Sequence, residues 1–300
     1  MNSPIPWIGG KRALLSVILE HFPINYERYI EVFGGGGSVL FGKPSEVFEV
    51  YNDFDSDLVN FFRCVKYRTM ALLNELKCLP VNSREDFKAL KCILNGENYY
   101  EKFLQEETEI AEKYFADNEK SEIMQILSGR ANDFDVIRAA AFYKQCHYSY
   151  ASNRKTVNCS PFKITNTFTS ILKAYYRLEN VFIDNKDFEA LIRQYDRDNA
   201  FFYCDPPYFM TEKYYKAVFL QDDHVRLFNT LKGIKGKFML SYNDCEFIRE
   251  LYKDYTIIEV ERLSNIIQRY EAGGQYKEVL IINFDLSECM KNKNVQMTML

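Results

Sequence analysis

The stretch Ala200–Phe209, AFFYCDPPYF, indicates a buried strand that runs directly into a rigid turn. Phenylalanine and tyrosine favour strands, and three of them stand in a row here. Pro207 ends the strand, because it fixes its own φ angle and keeps Pro206 out of the helical region. Asp205 is therefore expected at the carboxyl end of a strand, which is where open α/β sheets bind their ligands.

Such a turn can hold the exocyclic amine of a nucleobase, which is a poor nucleophile because its lone pair is delocalised into the ring. The Asp205 carboxylate would accept one N–H and the Pro206 carbonyl the other, so that the nitrogen approaches a tetrahedral geometry and its lone pair is free to attack. Pro206 and Pro207 fix both acceptors in advance, and the flat ring of Tyr208 can stack on the base. The alternative is an ordinary strand-ending turn, since Asp and Pro are common turn residues.

The composition is that of a globular protein. It argues against a protein that coats nucleic acid non-specifically. Of the 300 residues 47% are hydrophobic and 27% are charged, and the net charge of −4 leaves room only for a local basic face. The eight cysteines are scattered without a CxxC pattern, so neither a metal site nor a disulfide framework is expected. No stretch approaches the length of a membrane span. We expect a cytoplasmic protein that makes no membrane contact, and we favour a monomer.

Two motifs near the amino terminus indicate a nucleotide-like cofactor. Tyr29–Phe41, YIEVFGGGGSVLF, predicts a strand, a glycine loop and a helix, although the third position of a GxGxxG pattern is Val39, which gives a nicotinamide site little support. The strand Val47–Tyr51 ends before Asp53, at a distance from the loop that suits hydrogen bonding to ribose hydroxyls. For Asp53 alone the alternative is a helix N-cap.

The glycine pair in Trp7–Lys11, WIGGK, precedes a predicted helix at Arg12–Phe22. It resembles half of a phosphate loop, but the upstream glycine and the residue that would bind Mg²⁺ are missing, so an NTPase is rejected. By itself this motif favours a helix-entry turn with a surface lysine.

The charge of the chain changes sign in its middle third. Residues 58–132 are predicted to be mostly helical. The segment 97–135 is rich in Asp and Glu, whereas residues 136–178 contain no Asp or Glu at all. Basic residues alternate with aromatic and amide residues there, as contacts to phosphates and bases require. The alternative is a basic surface loop. The predicted hairpin 148–163 and the residues around it supply our candidate DNA contacts: Lys144, Tyr148, Asn153, Arg154, Lys155, Asn158 and Lys163.

Strands and helices alternate again after this stretch, which predicts an α/β sheet interrupted by an insertion. We predict catalytic parts at 1–58 and 167–300 and a target-recognition domain at 59–166. The predicted helices are Ser170–Leu178, Phe188–Tyr195, Asp222–Leu231 and Cys245–Leu251. The predicted strands are Val181–Asp184, Ala200–Cys204, Gly236–Tyr242, Tyr255–Glu261 and Glu278–Phe284.

The ordered motifs resemble the Dam-type, or D12 class, DNA adenine-N6 methyltransferases of bacteria and phages. WIGGK, EVFGGGGSVLF, YNDFDSDL and DPPY follow one another as in that family, and FMLSYND and EVLIINF extend the resemblance. The family implies a Rossmann-like S-adenosylmethionine-dependent methyltransferase sheet with an inserted helical target-recognition domain that bears a β-hairpin. It implies methyl transfer to a flipped-out adenine in double-stranded DNA, without a metal.

The resemblance also assigns roles to residues. Asp205, Pro206, Pro207 and Tyr208 would form the catalytic turn. The residues that would contact S-adenosylmethionine are Trp7, Lys11, Glu31, Gly34, Gly36, Asp53 and Asp205. Members that read GATC usually carry glycines in the hairpin, whereas 147–164 have none, so a GATC target is not indicated.

Three alternatives remain open. DPPY also serves cytosine-N4 methyltransferases, which are the nearest alternative. A nicotinamide oxidoreductase built on the glycine loop and a DNA-binding protein that has lost catalysis are further ones.

Overall fold

The computed structural model describes residues 1–78, 84–94, 134–149, 164–209, 219–263 and 275–289. The chain divides into two compact units. The first, called here the sheet unit, comprises Met1–Asn2, Gly10–Asp55 and Asn180–Leu300. The second, the helical unit, comprises Ser3–Gly9 and Ser56–Glu179.

The sheet unit is built on seven strands in the order β3-β2-β1-β4-β5-β7-β6. The first five strands in sequence are mutually parallel, and β7 runs antiparallel to both of its neighbours. The strands are β1 Arg28–Glu31, β2 Phe48–Asn52, β3 Val181–Asp184, β4 Ala200–Cys204, β5 Lys237–Asn243, β6 Thr256–Leu263 and β7 Gln275–Ile282. Because parallel neighbours need crossover connections, helices separate most of these strands along the chain.

The described residues contain ten α-helices. They are α1 Leu15–Glu20, α2 Ser38–Gly42, α3 Ser56–Tyr67, α4 Thr69–Cys78, α5 Arg84–Leu94, α6 Val136–Tyr148, α7 Ile164–Leu178, α8 Phe188–Tyr195, α9 Gln221–Lys232 and α10 Glu246–Leu251. A short 3-10 turn, Lys11–Leu14, leads into α1. None of these helices combines the length and the apolar character that a membrane crossing requires.

Both faces of the sheet are covered, as expected where parallel strands dominate. Side chains alternate between the faces along each strand. Ile30, Phe202 and Leu240 belong to one core, which also contains residues of α8, α9 and α10. On the opposite face the Phe22 ring packs edge-on against Phe201, with centroids 4.7 Å apart. By this alternation the residue after Cys204 points to the Phe22 face.

The helical unit is centred on α6, which packs against α3, α4 and α5. Ten of its thirteen residues are buried. Asp135 caps its first turn by accepting a hydrogen bond from the Arg138 amide at 2.7 Å. The amide of Asn60 on α3 donates to the Asp135 carbonyl at 2.9 Å, so the start of α6 is fixed against α3.

The Rossmann-like α/β class predicted from the sequence is confirmed, and β3, β4 and α8 have the predicted bounds. Two predictions in the middle of the chain are wrong. Residues 136–148 were expected to contribute to a basic surface but form the buried α6, and Tyr148 ends that helix instead of opening a hairpin. Helix α7 begins at Ile164, six residues before the predicted start. Residues 150–163, the remainder of the predicted hairpin, lie outside the described residues.

Candidate active site

Asp205 lies directly after β4, at the point where the strand order reverses. Strands β1 and β4 are neighbours, and from them the chain proceeds in opposite directions through the sheet. Doubly wound sheets leave a ligand crevice at the carboxyl ends of the strands at such a switch point. The position predicted for Asp205 from the sequence is therefore the position of a ligand site in this class of fold.

Two side chains hold the Asp205 carboxylate. The Lys11 ammonium lies 2.7 Å from Oδ2, and the Ser241 hydroxyl donates to Oδ1 at 2.9 Å. Ser241 reaches Asp205 because Cys204 is paired with Leu240 in the sheet, so the next residue of each strand lies beside the other. With its side chain 18% exposed, Asp205 is largely shielded from solvent.

The turn after Asp205 leads to a buried tyrosine. Pro206 is buried and Pro207 partly so. The Tyr208 side chain is 8% exposed, and its phenol donates a hydrogen bond of 2.6 Å to Oε2 of Glu278. Lys11 Nζ lies 4.8 Å from the centre of the Tyr208 ring, so one ammonium contacts both the catalytic candidate and this ring.

Burial determines the charge states in this cluster. It raises the pKa of Asp205 above its ordinary value, and the negative charge of Glu278 acts in the same direction, while Lys11 and the Ser241 hydroxyl oppose the shift. Burial, reinforced by the charges of Asp205 and Glu278, also raises the pKa of Tyr208. Its phenol therefore keeps its proton and acts as a hydrogen-bond donor at neutral pH.

The glycine loop is connected to the end of β2 by three hydrogen bonds, one between backbones and two that use side chains of β2 and the residue after it. The Gly34 amide donates to the Asn52 carbonyl at 2.7 Å, and the Gly35 amide donates to Oδ2 of Asp53 at 2.8 Å. The phenol of Tyr51 donates to the Gly35 carbonyl at 2.7 Å. The loop and the acidic residue that the sequence singled out are thus one connected structure.

Glycine is required in this loop for two reasons. Gly35 and Gly37 have φ angles of 50° and 70°, which side chains disfavour. At Gly34 a Cβ atom would lie only 2.2 Å from Cε2 of Tyr51. Gly36, the other glycine predicted to contact a cofactor, is buried between them.

Asp53 serves the local structure with both of its carboxylate oxygens. Oδ2 accepts the Gly35 amide, and Oδ1 accepts the Asp55 amide at 2.8 Å. Each oxygen has a second lone pair, so this arrangement is compatible with a further hydroxyl donor. The predicted contact with a ribose stays a prediction.

Glu31 is a further carboxylate at the carboxyl edge of the sheet. It ends β1, is 2% exposed and accepts a hydrogen bond of 2.6 Å from the phenol of Tyr29. Burial raises the pKa of Glu31 to about 8, against the opposing influence of Tyr29, the Leu40 amide and Lys43. At neutral pH this carboxyl group is therefore largely protonated, and a cation placed beside it would lower its pKa and favour the ionised form.

Trp7 belongs to the helical unit, where its ring centre lies 6.2 Å from that of Phe142. Its predicted contact with a cofactor stays a prediction. Lys11, by contrast, was expected from its motif alone to be a surface lysine, and that expectation is wrong. The residue is 3% exposed and directed at Asp205.

The described part of the predicted DNA surface is buried. Lys144 is 3% exposed and donates to the Glu75 carbonyl at 3.2 Å, and Tyr148 is 7% exposed. An ammonium bonded inside a helical bundle is not available to a phosphate, so the structure argues against Lys144 as a DNA contact. The other candidates, Asn153, Arg154, Lys155, Asn158 and Lys163, lie outside the described residues.

Sequence analysis missed two residues of the cluster, Ser241 and Glu278. Both stand in motifs that had been singled out, FMLSYND and EVLIINF, but neither motif was linked to Asp205. The signal that could have found them is the single polar residue that stands within or beside the apolar run of each buried strand.

Comparisons with known proteins indicate one family of enzymes. A family model described as D12 class N6 adenine-specific DNA methyltransferase matches residues 7–266. The type II methyltransferase M.MjaIII of Methanocaldococcus jannaschii is 30% identical, over 93% of this chain and 98% of the relative. The type II methyltransferase M1.LlaDCHI of Lactococcus lactis subsp. cremoris is 26% identical, over 93% of this chain and 94% of the relative. A DNA adenine methylase of Haemophilus influenzae is 24% identical, over 93% of this chain and 92% of the relative.

Proposed function

Because the chain belongs to the family of D12 class N6 adenine-specific DNA methyltransferases, we propose that Asp205 is its catalytic residue and S-adenosylmethionine its methyl donor. The family confirms the function predicted from the sequence, methylation of adenine at N6 in DNA. Cytosine-N4 methylation, the nearest alternative, is not favoured, since the family model and the Haemophilus influenzae relative are both named for adenine.

The observation that carries the proposal is the environment of the Asp205 carboxylate. It is fixed by Lys11 and Ser241 at the switch point of the sheet, and burial raises its pKa, so it is a strong hydrogen-bond acceptor. We assign it one N–H of the target amine and assign the other to the Pro206 carbonyl. Once the amine is bound, fixed acceptors of this kind need no further reorganisation when it attacks.

The target base must leave the duplex for its amine to reach a shielded carboxylate. We propose that the flipped adenine stacks on Tyr208, whose backbone is restrained by Pro206 and Pro207. The phenol of Tyr208 is bound to Glu278, so the ring is held from its far end.

The carboxylates at the edge of the sheet fit a cationic cofactor with hydroxyl groups. We propose that Glu31 lies near the methionine end of S-adenosylmethionine and that Asp53 binds its ribose. The backbone of Gly34 and Gly36 would line the same pocket, with Lys11 and Trp7 as further contacts. The cofactor would supply a methyl group already activated by a sulfonium.

We also propose that the insertion, predicted as 59–166, recognises the target sequence, with Lys155 and its neighbours contacting the DNA. Two relatives are named type II methyltransferases, and we propose a role in restriction-modification for this chain.

The first test is the variant Asp205→Ala. Loss of the acceptor should lower kcat by at least about a hundredfold, while DNA binding is largely retained. Transfer of a labelled methyl group to unmethylated DNA and a gel-shift titration measure the two effects.

The matched control is Asp285→Asn. Asp285 follows β7 at the opposite edge of the sheet and caps a short turn, a role that asparagine also fills. It should methylate DNA at the rate of the unchanged protein. An Asp205→Ala enzyme that still turns over would disprove the assignment.

A further inference from the structure

Glu278 is a buried carboxylate of the sheet unit that the family resemblance does not assign to the reaction. It lies on β7, an antiparallel strand, and is paired with Asn243 at the carboxyl end of β5. Along the same pair of strands, Leu280 is opposite Ser241. Since side chains alternate, Glu278 lies on the face of the sheet that carries Ser241, at the same edge as Asp205.

The contact between Glu278 and Tyr208 is short and shielded. The phenol oxygen of Tyr208 is 2.6 Å from Oε2 of Glu278. Tyr208 is 8% exposed and Glu278 is 2% exposed. Hydrogen bonds from a hydroxyl to an ionised acceptor have this length and are stronger than neutral ones. Because the raised pKa of Tyr208 keeps its proton in place, the phenol remains the donor.

The prolines do not fix the side chain of Tyr208. They fix backbone angles of the turn but not the two side-chain torsions of the tyrosine. A hydrogen bond at the far end of the ring fixes both torsions at once. A base stacked on the ring would then stand at a defined distance from Asp205, and small errors in such a distance lower reaction rates strongly.

We propose that Glu278 is a positioning residue for adenine methylation, which fixes the plane of the Tyr208 ring through the phenol hydrogen bond. The inference rests on the proposed stacking of adenine on Tyr208. It makes the hydroxyl of this tyrosine, and not only its ring, part of the methylation machinery.

Two single variants and their combination test the inference. Tyr208→Phe keeps the ring and removes the hydroxyl, and Glu278→Ala removes the acceptor. Each should lower kcat on unmethylated DNA roughly ten- to a hundredfold, with the KM for S-adenosylmethionine unchanged. Because both changes remove the same interaction, the double variant should be no slower than the slower single variant.

Two further variants separate positioning from a general loss of structure. Glu278→Gln retains an acceptor of the same shape and should recover most of the kcat that Glu278→Ala loses. Tyr252→Phe removes another buried phenol of the same core, whose oxygen has no hydrogen-bond partner in the described part of the chain. It should have the kcat of the unchanged protein.

The outcomes distinguish this inference from the proposed function. If Tyr208→Ala is inactive while Tyr208→Phe retains full kcat, stacking stands and the positioning role of Glu278 is overturned. If Tyr208→Ala retains full kcat, the stacking itself is wrong. Losses that add in the double variant would also overturn the inference. Should Glu278→Ala fail to fold, Tyr208→Phe alone decides, because its ring and volume are preserved.

Discussion

The acceptor strength of Asp205 results from three neighbours that come from distant parts of the chain. Lys11 and Ser241 favour the ionised carboxylate, while burial and the charge of Glu278 disfavour it. Lys11 also contacts the Tyr208 ring, so its ammonium occupies the place beside Asp205 that we assign to the target amine. Entry of the amine therefore requires a rearrangement of this contact.

Glu31 should make the stability of the protein depend on pH. In the unfolded chain this carboxyl group titrates near 4.5, whereas burial raises its pKa to about 8 in the folded protein. The folded state thus retains a proton that the unfolded state loses. The resulting stabilisation is complete below the unfolded pKa and is lost as the pH rises through the folded pKa.

The variant Glu31→Gln cannot titrate at this position and should lack that part of the pH dependence. The measurement is Tm from about pH 5 to pH 9 for both proteins. The unchanged protein should lose Tm more steeply than the variant over this range. Parallel curves would show that folding does not raise the pKa of Glu31, contrary to the account.

The motif around Asp205 was predictable because its information is local. A row of aromatic residues followed by two prolines defines a strand end whatever surrounds it. The roles of Ser241 and Glu278 were not predictable in the same way. They depend on the register of β5 with β4 and of β7 with β5, which is set by packing between residues distant in sequence.

The glycine loop and β2 leave no room for an added atom at Gly34. Tyr51 is buried, and its phenol is bound to the Gly35 carbonyl, so its ring cannot move away from Gly34. Gly34→Ala should therefore lower the free energy of unfolding by about 1–3 kcal/mol, the usual cost of overpacking. Denaturant unfolding measures this loss.

Gly233→Ala is the matched control for that change. Gly233 follows α9 with a φ angle of −95°, and the nearest atom to an added Cβ lies 3.7 Å away. Gly233→Ala should change the free energy of unfolding by no more than about 0.5 kcal/mol. If the two alanine variants proved equally stable, the constraint that we place on the glycine loop would not exist.

Helix α6 shows why charge patterns alone mispredict burial. Its acid-free, basic sequence indicated a surface, but Lys144 and Arg138 find their partners within the helical unit, on the Glu75 carbonyl and on Asp57. Long side chains can bury their stems and still satisfy their charge. The apolar residues between them, which include three consecutive alanines, were the signal of a buried helix.

The chain carries a net charge of −4, so its affinity for DNA must come from a local basic surface. We expect Lys155→Ala to weaken binding to all DNA sequences about equally. The slope of log affinity against log salt concentration should become shallower by about one, as loss of a phosphate contact does. Gel-shift titrations at several salt concentrations measure both quantities.

Lys144→Met is the comparison for Lys155→Ala. It removes a buried ammonium of the same acid-free stretch, so it should change the free energy of unfolding but leave the salt dependence of DNA binding unaltered. If Lys144→Met reduced the salt dependence of DNA binding, Lys144 would contact DNA after all, although its burial argues against that contact. An effect of Lys155→Ala confined to one base position would make Lys155 a base reader.

The most direct test is single-molecule sequencing of the DNA of a methylation-free host that expresses either the unchanged protein or Asp205→Ala. We predict N6-methyladenine at one short sequence motif with the unchanged protein and none with Asp205→Ala. N4-methylcytosine in the host DNA, or undiminished N6-methyladenine with Asp205→Ala, would contradict the account.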